Sequence, residues 1–310
     1  MTHQHILKAF NFETHDTLHS IYPYSPVYKI KKESQSYVIK QTRSSIEESN
    51  HVALFLERLN QLGIQIVTPV KLDVNNPLEI DEEVWTVYPF IDGQKYTGTD
   101  QQIVEAGKLL GSIHALSSSN NKESLSVYEE YAFEEKDIQD DFSIIETHLK
   151  SEEKKQINSI KNSIPRLIKQ QEILRTLNLP KVATPYDFKA DNLIYQTDNT
   201  PYLIDPDNAI FIPRIFDLAL TLLLFHNVLE SAPKTTWTPD KWELFLEGYK
   251  QYVTLTKEEI NYFPMAAEHL FIDEVVWLMA DFDDGWRNNR QRNFFLSIFT
   301  LLEHLNNYSL

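Results

Sequence analysis

Residues 183–207 read Ala183-Thr184-Pro185-Tyr186-Asp187-Phe188-Lys189-Ala190-Asp191-Asn192-Leu193-Ile194-Tyr195, a polar turn Thr197-Asp198-Asn199-Thr200, then Tyr202-Leu203-Ile204-Asp205-Pro206-Asp207. Two short apolar strands, Leu193 to Tyr195 and Tyr202 to Ile204, flank a turn rich in Asp and Asn, which predicts an antiparallel hairpin. Such pairing sets Asn192, just ahead of the first strand, beside Asp205, just behind the second. An amide oxygen and one or two carboxylates converging there suit Mg²⁺, which takes hard oxygen ligands and shares them with nucleotide phosphates. Asp187 lies on the loop leading in, within reach of a substrate hydroxyl.

Upstream of this island, the strand pattern Pro26 to Ile30 and Tyr37 to Lys40 encloses the turn Lys32-Glu33-Ser34-Gln35 and predicts a hairpin. Val52, Phe55, Leu56 and Leu59 recur at helical spacing within Ile46 to Leu62, with Gly63 as the stop. Two further strands are expected at Val67 to Leu72 and Val84 to Tyr88, ending at the break Pro89-Phe90-Ile91-Asp92-Gly93. Helices follow at Gln101 to Leu116, within the acidic stretch around Tyr128 to Lys155, and at Ile157 to Leu177 with a break near Pro165. They resume from Phe216 onward. The expectation is an α+β fold of two lobes: residues 1–88 small and β-rich, 89–93 a hinge, 94–310 larger and mainly helical.

Composition narrows the chemistry. The 310 residues carry 29 Lys and Arg against 45 Asp and Glu, a formal charge of −16, with no Cys and 7 Gly. That excludes disulfide scaffolds, thiolate zinc sites and cysteine nucleophiles. So much acid repels nucleic-acid backbones and anionic membranes, so neither is expected as a partner, and it favours cationic small molecules. No apolar run nears the roughly 18 residues that span a bilayer, and the first residues lack a secretory pattern. A soluble, cytoplasmic protein is expected.

An Asp-x-x-x-x-Asn spacing, a hairpin and a second Asp form the arrangement of kinase-type phosphoryl-transfer sites. With Tyr37-Val38-Ile39-Lys40, Leu110-Gly111-Ser112-Ile113-His114 and Phe216-Asp217-Leu218-Ala219 in the matching order, the chain resembles the aminoglycoside phosphotransferase and choline kinase-like family. The resemblance implies a protein-kinase-like two-lobe fold and a Mg²⁺-dependent transfer from ATP or GTP to an alcohol. By the same resemblance Asp187 is the catalytic base, Asn192 and Asp205 hold Mg²⁺, and Asp207 is a further ligand or orienting carboxylate. Lys40 contacts the α/β-phosphates and pairs with a carboxylate on the next helix, for which Glu48 is chosen over Glu47. Glu48 shares a face with Val52, Phe55 and Leu56, while Glu47 points about 100° away. The Pro89 carbonyl and the Ile91 N–H pair with the adenine edge, and Asp217 braces the catalytic loop.

The departures are informative. Pro185 stands where the family usually has His, so a loop-bracing hydrogen bond is missing or replaced. Lys189 is reminiscent of the lysine that neutralises the moving phosphoryl group in serine/threonine kinases. No glycine precedes Gly63, so Ser20 to Ser25 must replace a phosphate-cradling glycine loop, with Ser25 as a phosphate donor. Glu274, Trp277 and Asp281 recur at helical spacing, and two carboxylates flanking an aromatic suit an amine. Trp277, like Trp242, also reads as a core anchor. The favoured acceptor is therefore an aminoglycoside or aminocyclitol antibiotic, implying antibiotic resistance, ahead of choline or homoserine. A nucleotide-binding pseudokinase is the alternative; a protein kinase is opposed by the absence of Asp-Phe-Gly and Ala-Pro-Glu.

Overall fold

Alternating apolar residues in the first part of the chain build an antiparallel sheet of β1 (Val27–Lys32), β2 (Gln35–Thr42), β3 (Leu78–Ile80) and β4 (Glu83–Pro89), in the order β1-β2-β4-β3. The computed structural model describes residues 3–12, 19–22, 25–128 and 134–310. A short helix, α1 (His3–Ala9), lays Ile6 and Leu7, with Phe10 and Phe12 behind them, over one sheet face against Ile30, Ile39 and Trp85. Against the helical part lies α2 (Ile46–Gln61), begun by a capping box in which Ser45 and Glu48 satisfy each other's backbone N–H. It stops at Leu62, and Gly63 takes φ +89°, a conformation open to glycine.

The expected strand Val67 to Leu72 is absent from this sheet. Pro69 has no N–H to give a ladder. The backbone of Gln65 and Val67 bonds instead to Leu203, far along the chain, and β3 takes the place beside β4. The main hydrophobic cluster accordingly runs without a break from Phe55, Leu56 and Leu59 of α2 into the helical part. Beyond the connector, a two-residue strand β5 (Gln94–Lys95) leads to α3 (Asp100–Leu116), then α4 (Glu135–Thr147), α5 (Ser151–Lys161) and α6 (Ile164–Thr176). Pro165 sits in the first turn of α6, so the break anticipated there falls just ahead of it. Residues 129–133 of the acidic run lie outside the described residues.

The non-helical island comprises β6 (Lys181–Thr184), a 3₁₀ turn at Ala190–Asn192, β7 (Leu193–Tyr195), β8 (Pro201–Leu203) and β9 (Ile210–Pro213). Strands β7 and β8 pair antiparallel with Leu193 opposite Leu203, as the turn chemistry predicts, and β6 pairs with β9. Helices α7 (Arg214–Leu224), α8 (Pro239–Tyr249) and α9 (Lys257–Leu270) follow. A π-helical turn, Phe271–Val275, joins α9 to α10 (Val276–Asp281), and α11 (Asp283–Arg287) and α12 (Asn289–Glu303) complete the order. Helices α3 and α8 cross at backbone contact. A Cβ on Gly107 would lie 2.0 Å from the Phe245 carbonyl oxygen, one on Gly248 2.0 Å from that of Val104, and one on Gly111 2.5 Å from that of Tyr249. That closeness seats His114 of α3 against Tyr249 of α8.

Candidate active site

Strand β6 delivers the chain into a loop where Tyr186 and Asp187 take φ of +56° and +48°. Neither is glycine, and a left-handed residue costs about 1 to 2 kcal/mol, so surrounding contacts must hold the turn. They are specific. Asp217, fully buried on α7, receives a hydrogen bond from the Thr184 hydroxyl at 3.0 Å and lies 2.8 Å from His114 Nε2. The other nitrogen of His114 meets the Tyr249 hydroxyl at 2.8 Å, and the Ala190 N–H donates to the Phe225 carbonyl. The bond that Pro185 cannot make is thus supplied one residue earlier, by Thr184. Asp217 acts as the brace the sequence suggests, and His114 is structural.

On this loop Lys189 Nζ donates to Asp187 Oδ2 at 2.5 Å, and Asn192 Nδ2 donates to the Asp187 carbonyl at 3.0 Å. Asn192 also lines the cavity that holds Lys40 and Asp205. Burial would lower the Lys189 ammonium, but Asp187 beside it offsets that and its pKa is raised. Asp205, at φ +59° just after β8, pairs with Lys40 Nζ from β2, and Asp207 Oδ2 lies 2.8 Å from the same nitrogen. Burial again opposes charge on Lys40, yet Asp207 and Asp205 hold it firmly protonated. The Tyr88 hydroxyl donates to Asp207 Oδ1 at 2.5 Å, and burial and Asp207 push that phenol far above its usual range.

These groups line two cavities. One, of about 560 Å³, runs between the sheet and the β7–β8 hairpin and is lined by Val38, Lys40, Pro89, Ile91, Asn192 and Asp205. Its closed end needs Gly93, because a Cβ there would sit 2.5 Å from Ile194 and 2.6 Å from the Tyr195 carbonyl oxygen. The other, of about 400 Å³, is lined by Asp187, Lys189, Asp207, Tyr186, Glu274 and Trp277, with His51 and Asn227 on its wall. Asn192 and Asp205 are hard oxygen donors side by side, a set suited to a divalent cation. Asp207 meets Lys40 through Oδ2 and the Tyr88 hydroxyl through Oδ1, an arrangement that orients both groups.

Several expectations are corrected. Glu48 does not meet Lys40: its carboxylate is spent on the Ser45 capping box and on the Ser126 hydroxyl at 3.2 Å, and it lies on the second cavity's wall. Ser25 Oγ is buried without a hydrogen bond among the described residues and does not line the first cavity, whereas Tyr22 does; Pro23 and Tyr24 lie outside the described residues. Trp277 is 48% exposed and so is no core anchor, unlike Trp242, which is buried. Asp281, at the exposed end of α10, does not line the cavity with Glu274 and Trp277. Asp281 closes α10 about one turn beyond Trp277, past the cavity, so Glu274 and Trp277 line it without the third residue. The Tyr186 hydroxyl donates to Glu274 Oε1 at 2.9 Å, a partner that spacing alone did not single out.

Behind Glu274, the Tyr128 hydroxyl donates to Asp273 Oδ2 and lies 3.4 Å from His269 Nε2. Burial, reinforced by Glu274, raises Asp273 from 3.8 to about 7. A carboxyl raised on folding stabilises the protein below its unfolded pKa, and that contribution is lost as pH climbs to about 7. The histidines His226 and His269, which burial lowers to about 4 and about 3, act in the opposite sense. Their stabilisation fades as pH falls below the ordinary histidine range. Comparing two chains that share them cancels their effect. Melting temperatures of native and Asp273→Asn chains, similar near pH 4, are therefore expected to diverge up to about pH 7, the variant becoming the more stable. Parallel curves would contradict this.

Comparison with known proteins agrees with this geometry. A family model described as "Phosphotransferase enzyme family" matches residues 24–263. No curated protein sequence matches the chain. Among solved structures, the fold is shared with a microcompartment-associated aminopropanol kinase, at 12% identity and TM-score 0.71, over 99% of this chain and 98% of that one. It is also shared with a spectinomycin phosphotransferase, at 18% identity and TM-score 0.63, over 97% of each chain. A choline kinase from Streptococcus pneumoniae aligns at 18% identity and TM-score 0.55, over 93% of this chain and 94% of that one. At such identities the likeness establishes the fold.

Proposed function

The chain belongs to the phosphotransferase enzyme family, and on that premise we propose that it transfers the terminal phosphoryl group of ATP or GTP to a hydroxyl of a small, amine-bearing molecule. The single observation that carries the proposal is Asp187 on the wall of one cavity with Glu274 and Trp277, its carbonyl bonded by Asn192, which lines the other cavity with Lys40 and Asp205. Residues 1–88 and 94–310 act as the two lobes, 89–93 as the hinge, and the Pro89 carbonyl and Ile91 N–H grip the base. Asn192 and Asp205 hold Mg²⁺, which when bound neutralises phosphate charge and fixes the phosphate oxygens. Lys40 contacts the inner phosphates, held in place by Asp205 and Asp207. Lys189 offsets charge on the moving phosphoryl group while Asp187 orients the acceptor hydroxyl and takes its proton.

The second cavity supports an amine acceptor. Glu274 presents a carboxylate beside the open ring of Trp277, a pairing that attracts an ammonium by charge and by its ring face. Similar structures are named for spectinomycin, aminopropanol and choline. An aminoglycoside or aminocyclitol antibiotic is placed ahead of choline and homoserine, in a cytoplasmic setting where such a transfer confers resistance. The test is phosphate transfer from radiolabelled Mg·ATP and Mg·GTP to a panel of aminocyclitols, amino-sugars, choline, homoserine and small amino alcohols, beside the same molecules lacking the amine. The expected result is transfer confined to amine-bearing members. Equal transfer to the amine-free counterparts would overturn the acceptor class, and nucleotide binding without transfer to any member would make the chain a nucleotide-binding scaffold.

A further inference from the structure

The loop of the small lobe that faces the nucleotide cavity contains no glycine, and three backbone amides among its described residues are already used. The Ser20 hydroxyl accepts from the N–H of Tyr22 at 3.3 Å and of Val27 at 3.1 Å, while the Ile21 N–H donates to the Val27 carbonyl at 2.8 Å. A phosphate-binding loop works by pointing such amides at the anion, and these three point inward to hold the loop's own shape. A side chain must then supply the donor. Ser25 lies off the cavity wall, but Tyr22 is on it, together with Lys40, Asn192 and Asp205.

Given a nucleotide in that cavity, which is the reading above, we infer that the Tyr22 phenol is the group with which the small lobe meets the terminal phosphate. The side chain shares the cavity wall with Asp191, Asn192 and Asp205 of the large lobe, so it stands across the gap that a glycine loop would close with backbone. A phenol keeps its proton at neutral pH and so can donate. A neutral donor on a phosphate oxygen makes a charge-assisted hydrogen bond, and the ring beside it excludes water from the transferring group.

Because only the terminal phosphate is contacted, the test compares nucleotides that differ by it. Titration calorimetry of the full chain with Mg·AMP-PNP and Mg·ADP, for native and Tyr22→Phe protein, is expected to show a loss of roughly 10- to 100-fold in AMP-PNP affinity with ADP affinity unchanged. Equal AMP-PNP affinity in the two proteins overturns the inference alone. A parallel loss for both nucleotides also overturns it, since the ring would then only shape the loop. A native chain that binds neither nucleotide, nor their guanine counterparts, overturns the nucleotide reading itself and this inference with it.

Discussion

Asp187→Ala and Asp187→Asn are both expected to lower turnover at least about 10³-fold while Mg·ADP binds as in the native chain. The groups assigned to nucleotide, Lys40, Asn192 and Asp205, line a cavity from which Asp187 is absent, so binding does not need its carboxylate. Transfer does. A neutral side chain neither accepts the acceptor's proton nor holds Lys189, whose ammonium now sits 2.5 Å from Asp187 Oδ2. The two variants separate chemistry from shape. Asn tolerates the left-handed backbone at this position, whereas Ala adds backbone strain to the loss of the acid; both keep the backbone carbonyl that Asn192 Nδ2 reaches. Steady-state kinetics with whichever acceptor supports transfer, paired with ADP titration, reads both effects. Native-like turnover in the Asn variant would remove Asp187 from the mechanism.

Where local chemistry decides structure, the sequence was legible. The helix face of Val52, Phe55, Leu56 and Leu59 and the stop at Gly63 are encoded within a few residues, and α2 runs as they indicate. The β7–β8 hairpin was legible for the same reason, its turn chemistry setting the register that brings Asn192 near Asp205. What failed was tertiary. Nothing near Pro69 reveals that Gln65 and Val67, just before it, bond to Leu203 while Val70, just after it, reaches Val87 of β4. The Lys40 partner was sought on the nearest helix by family habit, but Asp205 and Asp207, 165 and more residues downstream, are the carboxylates beside it. Asp281 was placed by helical spacing from Trp277, but α10 ends there, about one turn beyond the cavity wall. Tyr22 was hidden because its significance depends on where the loop amides go, which spacing does not disclose.

Lys40→Met is expected to damage both activity and stability, and a second substitution tells the two apart. Lys40 and Asp207 are largely buried, and with Asp205 they form a compact cluster at the base of the nucleotide cavity. Removing the ammonium leaves the Asp207 carboxylate without its countercharge, a loss that costs about 3 kcal/mol or more when a buried pair is broken from one side. For a chain this long that lowers the melting temperature by several degrees. In Lys40→Met with Asp207→Asn the uncompensated charge is gone, and the amide oxygen still accepts the bond from the Tyr88 hydroxyl. The melting temperature should therefore recover most of the loss. Turnover should not recover, because no cation then meets the inner phosphates, and it is expected to stay down by about 10² or more in both variants. Scanning calorimetry and transfer rates on the native chain and the two variants give the comparison. Recovery of stability and rate together would reduce Lys40 to a structural counterion, whereas recovery of stability alone assigns it to the phosphates.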